Sequence, residues 1–90
     1  MTLIARTVEI TNRRGLHARA SAKFVTVASG VGTIVEVEKD GSKVVGTSIM
    51  GLMMLGAAMG DSIIISARGD GADAAVQTLV DLVEAKFGED

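Results

Sequence analysis

Ninety residues with a formal net charge of −2, two phenylalanines as the whole aromatic complement and no cysteine leave a narrow set of options. Two separate cores would need roughly 50 residues each, so the chain is expected to form one domain over residues 1–90, with an aliphatic core drawn from its 48% hydrophobic residues. Disulfides, thiol catalysis and Cys-based zinc sites are excluded, a single histidine cannot build a His-rich metal site, and a mildly acidic chain without tryptophan or tyrosine lacks both the basic stripe and the stacking platforms of a nucleic-acid binder.

The opening MTLIART has neither the charged region nor the long apolar run of a signal peptide, and no stretch approaches the roughly 20 apolar residues that span a bilayer. A cytoplasmic location without membrane insertion is the expectation. From Leu3 to Ile10, Ile4, Val8 and Ile10 share one side of a strand. From Leu16 the period changes: Leu16, Ala20, Phe24, Val27, Ala28 and Val31 take the three-and-four spacing of a helix face, with Gly30 as its stop. Thr33–Glu38 and Ser42–Val45 are strand-like around Asp40-Gly41, a favoured pair for a tight hairpin turn. Ser48 to Leu55 predicts a short helix, capped by a hydroxyl residue and closed by Gly56, with Ile49, Leu52 and Leu55 toward the core and Met50, Met53 and Met54 outward. Ser62 to Ala67 predicts a fourth strand. A last helix follows, capped by Asp70, lined by Ala72, Ala75, Val76, Leu79, Val83 and Phe87 and ended by Gly88. The order is β-α-β-β-α-β-α, an α+β arrangement in which an antiparallel sheet is covered by helices on one face.

One segment carries chemistry. In N-R-R-G-L-H-A-R-A-S-A-K (Asn12 to Lys23) the only histidine, His17, stands where a helix begins and where Ser, Thr, Asp or Asn would ordinarily cap it. The first amides of that helix, around Ala18 and Arg19, are left without a side-chain acceptor, which makes the terminus an anion site. Arg19 supplies a bidentate phosphate donor and Arg14 longer-range attraction. A free imidazole, with an ordinary pKa of about 6.5, is largely unprotonated near neutral pH and can attack phosphorus.

The string G-L-H-A-R-A-S-A (Gly15 to Ala22) resembles the active-site signature of the HPr family, the phosphocarriers of phosphoenolpyruvate-dependent phosphotransferase systems. Ser48-Ile-Met-Gly-Leu-Met-Met-Leu-Gly56 resembles that family's second motif, at the family's separation, and the likeness covers the whole chain. The family commonly has proline where Ala20 stands and lysine where Thr47 stands. The resemblance implies an open-faced β-sandwich with strand order 1-4-2-3 and three helices on one face. It implies a phosphoryl group accepted by His17 on Nδ1 from enzyme I and passed to an enzyme IIA domain, contacted by Arg19 and by the Ala18 amide. The chain is then a carrier with a phosphohistidine intermediate rather than a free-standing enzyme, needing no cofactor and acting as a monomer. Ser48 is the position phosphorylated in some members, which adds an HPr kinase/phosphorylase to the partners the resemblance allows. Met50, Met53, Met54 and Lys23 are candidates for partner docking. The partners belong either to sugar uptake or to the nitrogen-regulatory branch, and the Met-rich second motif without the preceding lysine tilts the reading toward the latter. A regulatory binding module acting through Ser48 and the methionines alone is the competing reading, against which the joint presence of His17 and Arg19 speaks. A small-ligand or metal-binding domain of the same element order is disfavoured because metal ligands are too few.

Overall fold

The alternation and periodicity resolve, in a computed structural model that describes residues 2–89, into four strands and three helices. These are β1 (Leu3–Glu9), α1 (Ala18–Ser29), β2 (Val35–Lys39), β3 (Ser42–Val45), α2 (Ile49–Met54), β4 (Ser62–Arg68) and α3 (Ala72–Glu84), followed by a 3₁₀ turn over Lys86–Gly88. The strands form one antiparallel sheet in the order β1-β4-β2-β3. Helices cover one face, giving an open α+β sandwich.

Strand alternation decides which side is covered. Ile63, Ile65 and Ala67 of β4 and Val35 and Val37 of β2 point into the core, while Ile64 between them stays partly exposed on the other face. Phe24 of α1 lies fully buried at the centre with Leu52, Val76, Leu79 and Val83. Its ring packs on Gly46, where an added Cβ would stand 3.2 Å from Phe24 Cε1. Burying a side chain of this size contributes about 1.5–3 kcal/mol relative to exposure. The hairpin turns where the sequence places it: Asp40 and Gly41 both have positive φ, 51° and 86°, and Lys39 pairs with Ser42. This is the two-residue turn whose twist matches that of its strands.

The structure departs from expectation at the ends of elements. The second strand starts at Val35 rather than Thr33, and Ile34 is 75% exposed. Leu16 is buried, but in the loop before α1 rather than on its face. Ile49 is 40% exposed instead of joining Leu52 and Leu55 in the core; in the six-residue α2 the first turn meets β3 through Gly51, where an added Cβ would stand 3.1 Å from Val44 Cβ. The cap of α3 is Gly71 at φ +79°, not Asp70: the first helical bond, Ala75 N–H to the Gly71 carbonyl at 3.0 Å, starts one residue beyond the aspartate. Phe87 is buried as its spacing suggests, yet α3 has already ended at Glu84, and the ring reaches the core from a turn in which Lys86, Phe87 and Gly88 all have positive φ.

Candidate functional site

His17 is the N-cap of α1, with extended backbone and no side-chain bond to the helix amides. The first helical bond runs from Ser21 N–H to the His17 carbonyl at 2.9 Å, so the amides of Ala18 and Arg19 precede the ladder and face outward from the helix start. Ser21, fully buried, donates its hydroxyl to the Leu16 carbonyl at 3.1 Å and ties the first turn to the loop.

That loop is set by Gly15. Its φ is +64°, and a side chain there would run into the Ala57 carbonyl oxygen and sit 2.8 Å from the Ala58 Cα. The close approach lets Leu16 N–H donate to Ala57 O at 2.9 Å. The segment after α2 is thereby stitched to the histidine loop, and it continues to Met59, 59% exposed.

The imidazole does not point into solvent alone. Nε2 lies 3.0 Å from Oε1 and 3.0 Å from Oε2 of Glu89, a residue 72 positions away in sequence. Asn12, fully buried, donates one Nδ2 hydrogen to the Gly15 carbonyl at 2.8 Å and the other to Glu89 Oε1 at 2.8 Å. Its Oδ1 is buried with no hydrogen-bond partner among the described residues. The bonds from Asn12 and then from His17 hold the Glu89 carboxyl below the ordinary glutamate range, so it is ionised at neutral pH. Arg13, Arg14 and Arg19 line a depression of about 200 Å³ together with Glu89, the carboxylate that holds the ring. A helix start, three guanidinium groups and an oriented imidazole suit a transferable anion. Among the described residues no cluster of His, Cys, Asp or Glu side chains is placed to hold a metal ion, and no helix is long and apolar enough to cross a membrane.

The structure thus gathers His17, the Ala18 amide and Arg19, with Arg14 on the rim. Lys23 is exposed one helical turn further along α1, with Nζ within reach of Gly88. Ser48 caps α2, accepting from Gly51 N–H at 3.0 Å, and α2 packs against α1. Met50 (67%), Met53 (39%) and Met54 (80%) are exposed. Asn12, Arg13 and Glu89 were not identified from sequence. Asn12 stands three residues before the Gly15–Ala22 signature and resembles any turn residue, and no local pattern relates Glu89 to a loop at the other end of the chain.

Residues 4–85 match the family model described as "PTS HPr component phosphorylation site". The chain is 48% identical over 89 residues to a phosphocarrier protein HPr of Neisseria meningitidis, covering 97% of this chain and 98% of that one. It is 39% identical over 89 residues to a phosphocarrier protein NPr of Shewanella violacea, covering 99% and 98%. The crystal structure of HPr-C-His from Thermoanaerobacter tengcongensis superposes with a TM-score of 0.89 at 48% identity, covering 100% of this chain and 99% of that one.

Proposed function

The chain belongs to the HPr family of phosphocarrier proteins of the phosphotransferase system, and from that premise we propose that it accepts a phosphoryl group on His17 Nδ1 from phospho-enzyme I and donates it to a histidine of an enzyme IIA domain. The observation that carries this reading is the position of His17 itself: a ring at the N-cap of α1 whose Nε2 is engaged by a carboxylate, while Nδ1 makes no hydrogen bond among the described residues.

The chemistry follows from that placement. The Nδ1 lone pair forms the N–P bond while the bond from phosphorus to the donor breaks, its electron pair leaving with the donor atom. The amides of Ala18 and Arg19 and the Arg19 guanidinium offer donors to the phosphoryl oxygens. Such transfer depends on positioning and charge stabilisation more than on covalent help from the protein. Arg19 lines an open depression with Arg13, Arg14 and Glu89 rather than an enclosed pocket, which suits a carrier that must release its cargo to a second protein.

We assign partner docking to Met50, Met53 and Met54 with Lys23, since exposed methionines adapt to more than one surface. Ser48 is the position where a kinase would impose negative charge on that surface. We place the whole of residues 1–90 in one cytoplasmic, monomeric carrier domain that needs no cofactor. Similarity to both HPr and NPr proteins leaves two downstream branches, sugar uptake and nitrogen regulation. The relay is tested by phosphorylating the protein with phosphoenolpyruvate and enzyme I, removing enzyme I, and adding purified IIA domains of either branch. Transfer of the label to a IIA histidine is expected, and its branch names the pathway. A labelled protein that passes nothing to either class would refute the donor half.

A further inference from the structure

We propose that Glu89 is a positioning residue of this site: its carboxylate, held by Asn12, keeps a proton on His17 Nε2 throughout the transfer cycle, so that Nδ1 is the nucleophile and the ring leaves the phosphoryl group as neutral imidazole. The proposal rests on the phosphocarrier reading and adds a role for two residues outside the histidine signature.

Four observations support it. Both carboxylate oxygens lie 3.0 Å from Nε2, so whichever one accepts, an ionised carboxylate can take a hydrogen bond only from a protonated ring nitrogen. The orientation of Asn12 is unambiguous, because both of its amide contacts, the Gly15 carbonyl and Glu89 Oε1, are acceptors and only the NH₂ end can serve them. Asn12 is fully buried, its Oδ1 has no partner among the described residues, a cost an apolar residue would avoid, and its amide spans from the histidine loop to the carboxylate. Finally, the tail is fixed where Glu89 needs to be. Phe87 anchors it in the core, Gly88 N–H donates to Ala85 O at 3.0 Å and Glu89 N–H to Lys86 O at 2.9 Å, through a turn that places two non-glycine residues at positive φ.

The electrostatics show why such a residue matters. The charged groups that share a depression with Glu89 are cationic: Arg13, Arg14 and Arg19. They favour the incoming anion but also favour loss of the ring proton. On acceptance, Nδ1 gains the N–P bond and the Nε2 proton stays, so the ring becomes a phosphorylated imidazolium whose charge faces Glu89. On donation the N–P bond breaks and its electron pair returns to Nδ1, giving neutral imidazole with no proton to be found or lost. Without the Nε2 proton the leaving group would be imidazolate, a far poorer one.

The test uses the full chain with ¹⁵N-labelled histidine, unmodified and as Glu89→Gln and Asn12→Ala. The measurements are the two ring-nitrogen shifts before and after phosphorylation by phosphoenolpyruvate and enzyme I, and the rate of transfer to a IIA domain from pH 6 to 9. In the unmodified protein Nε2 should be of the protonated type in both states. Glu89→Gln should still take the phosphoryl group, lose the Nε2 proton of the phosphorylated ring at lower pH, and transfer about tenfold more slowly at pH 8, with the gap closing toward pH 6. Asn12→Ala should shift the same way by less, with folding checked by its thermal transition. Equal proton retention and equal rates in Glu89→Gln across this range would overturn the role of Glu89. If the unmodified protein takes no phosphoryl group, the carrier reading fails instead.

Discussion

Replacing Gly15 by alanine separates two costs that the structure shows acting together. The residue has φ +64°, and its missing side chain is replaced in space by the backbone of Ala57 and Ala58, the latter with its Cα 2.8 Å from where a Cβ would stand. Holding an alanine in the left-handed region costs about 1–2 kcal/mol, partly offset by about 0.4–1 kcal/mol because alanine also restricts the unfolded chain. Crowding a methyl group against backbone that cannot rotate aside adds about 1–3 kcal/mol. A net loss of about 2–4 kcal/mol is therefore expected. Gly56 provides the control, since it has φ +67° with nothing within 4 Å of an added Cβ, so Gly56→Ala should show only the conformational part, about 1 kcal/mol or less. Urea unfolding of the two variants measures both terms. Gly15→Ala should also lose the Leu16 N–H to Ala57 O bond as seen by faster exchange of that amide, and phosphoryl acceptance should fall because the histidine loop is displaced. Equal destabilisation of the two variants would refute the argument that close backbone approach fixes the loop.

Ser48→Ala should lose about 1 kcal/mol of stability with the Gly51 N–H bond and still accept phosphate, whereas Ser48→Asp should stay folded but raise the KM for enzyme I; unchanged transfer by Ser48→Asp would reduce the serine to a cap. Met54→Lys, at a position 80% exposed, should move stability by no more than about 0.5 kcal/mol while weakening phosphotransfer from enzyme I, and a collapse of the fold would show that the residue packs inward. The Glu89 carboxyl, lowered by Asn12 first and His17 second, should titrate below the ordinary value of 4.5 when followed by carbon NMR, and Asn12→Ala should raise it. Because the folded value is the lower one, its contribution to stability is present above the unfolded value and lost as pH falls through the folded value, so unfolding curves of the unmodified protein and Glu89→Gln should converge only in acid.

Local chemistry made much of this molecule readable. The Asp40-Gly41 turn, the alternation of β4 and the unfilled cap at His17 are each decided by a few adjacent residues, and each stands in the structure within a residue or two of its expected place. The structure differs from the periodicity where a distant packing partner decides: α3 stops at Glu84 and Phe87 reaches the core from a turn at positive φ, and Ile49 stays exposed while Gly51 of the same turn meets β3. The partner of His17 was least legible of all. Glu89 meets the ring only after the whole sheet has formed, and its carboxylate is positioned by an asparagine that on paper is one more turn residue.

The phosphoryl group itself gives the most direct test of the central claim. Incubated with phosphoenolpyruvate and enzyme I, the unmodified protein should show by intact mass a single acid-labile phosphoryl adduct, mapped by peptide fragmentation to His17. His17→Ala should still fold cooperatively, less stable by the loss of its contact with Glu89, and show none, and Arg19→Ala should acquire the group more slowly, by a factor of about a hundred. A phosphoryl adduct of the same lability on His17→Ala would contradict the account.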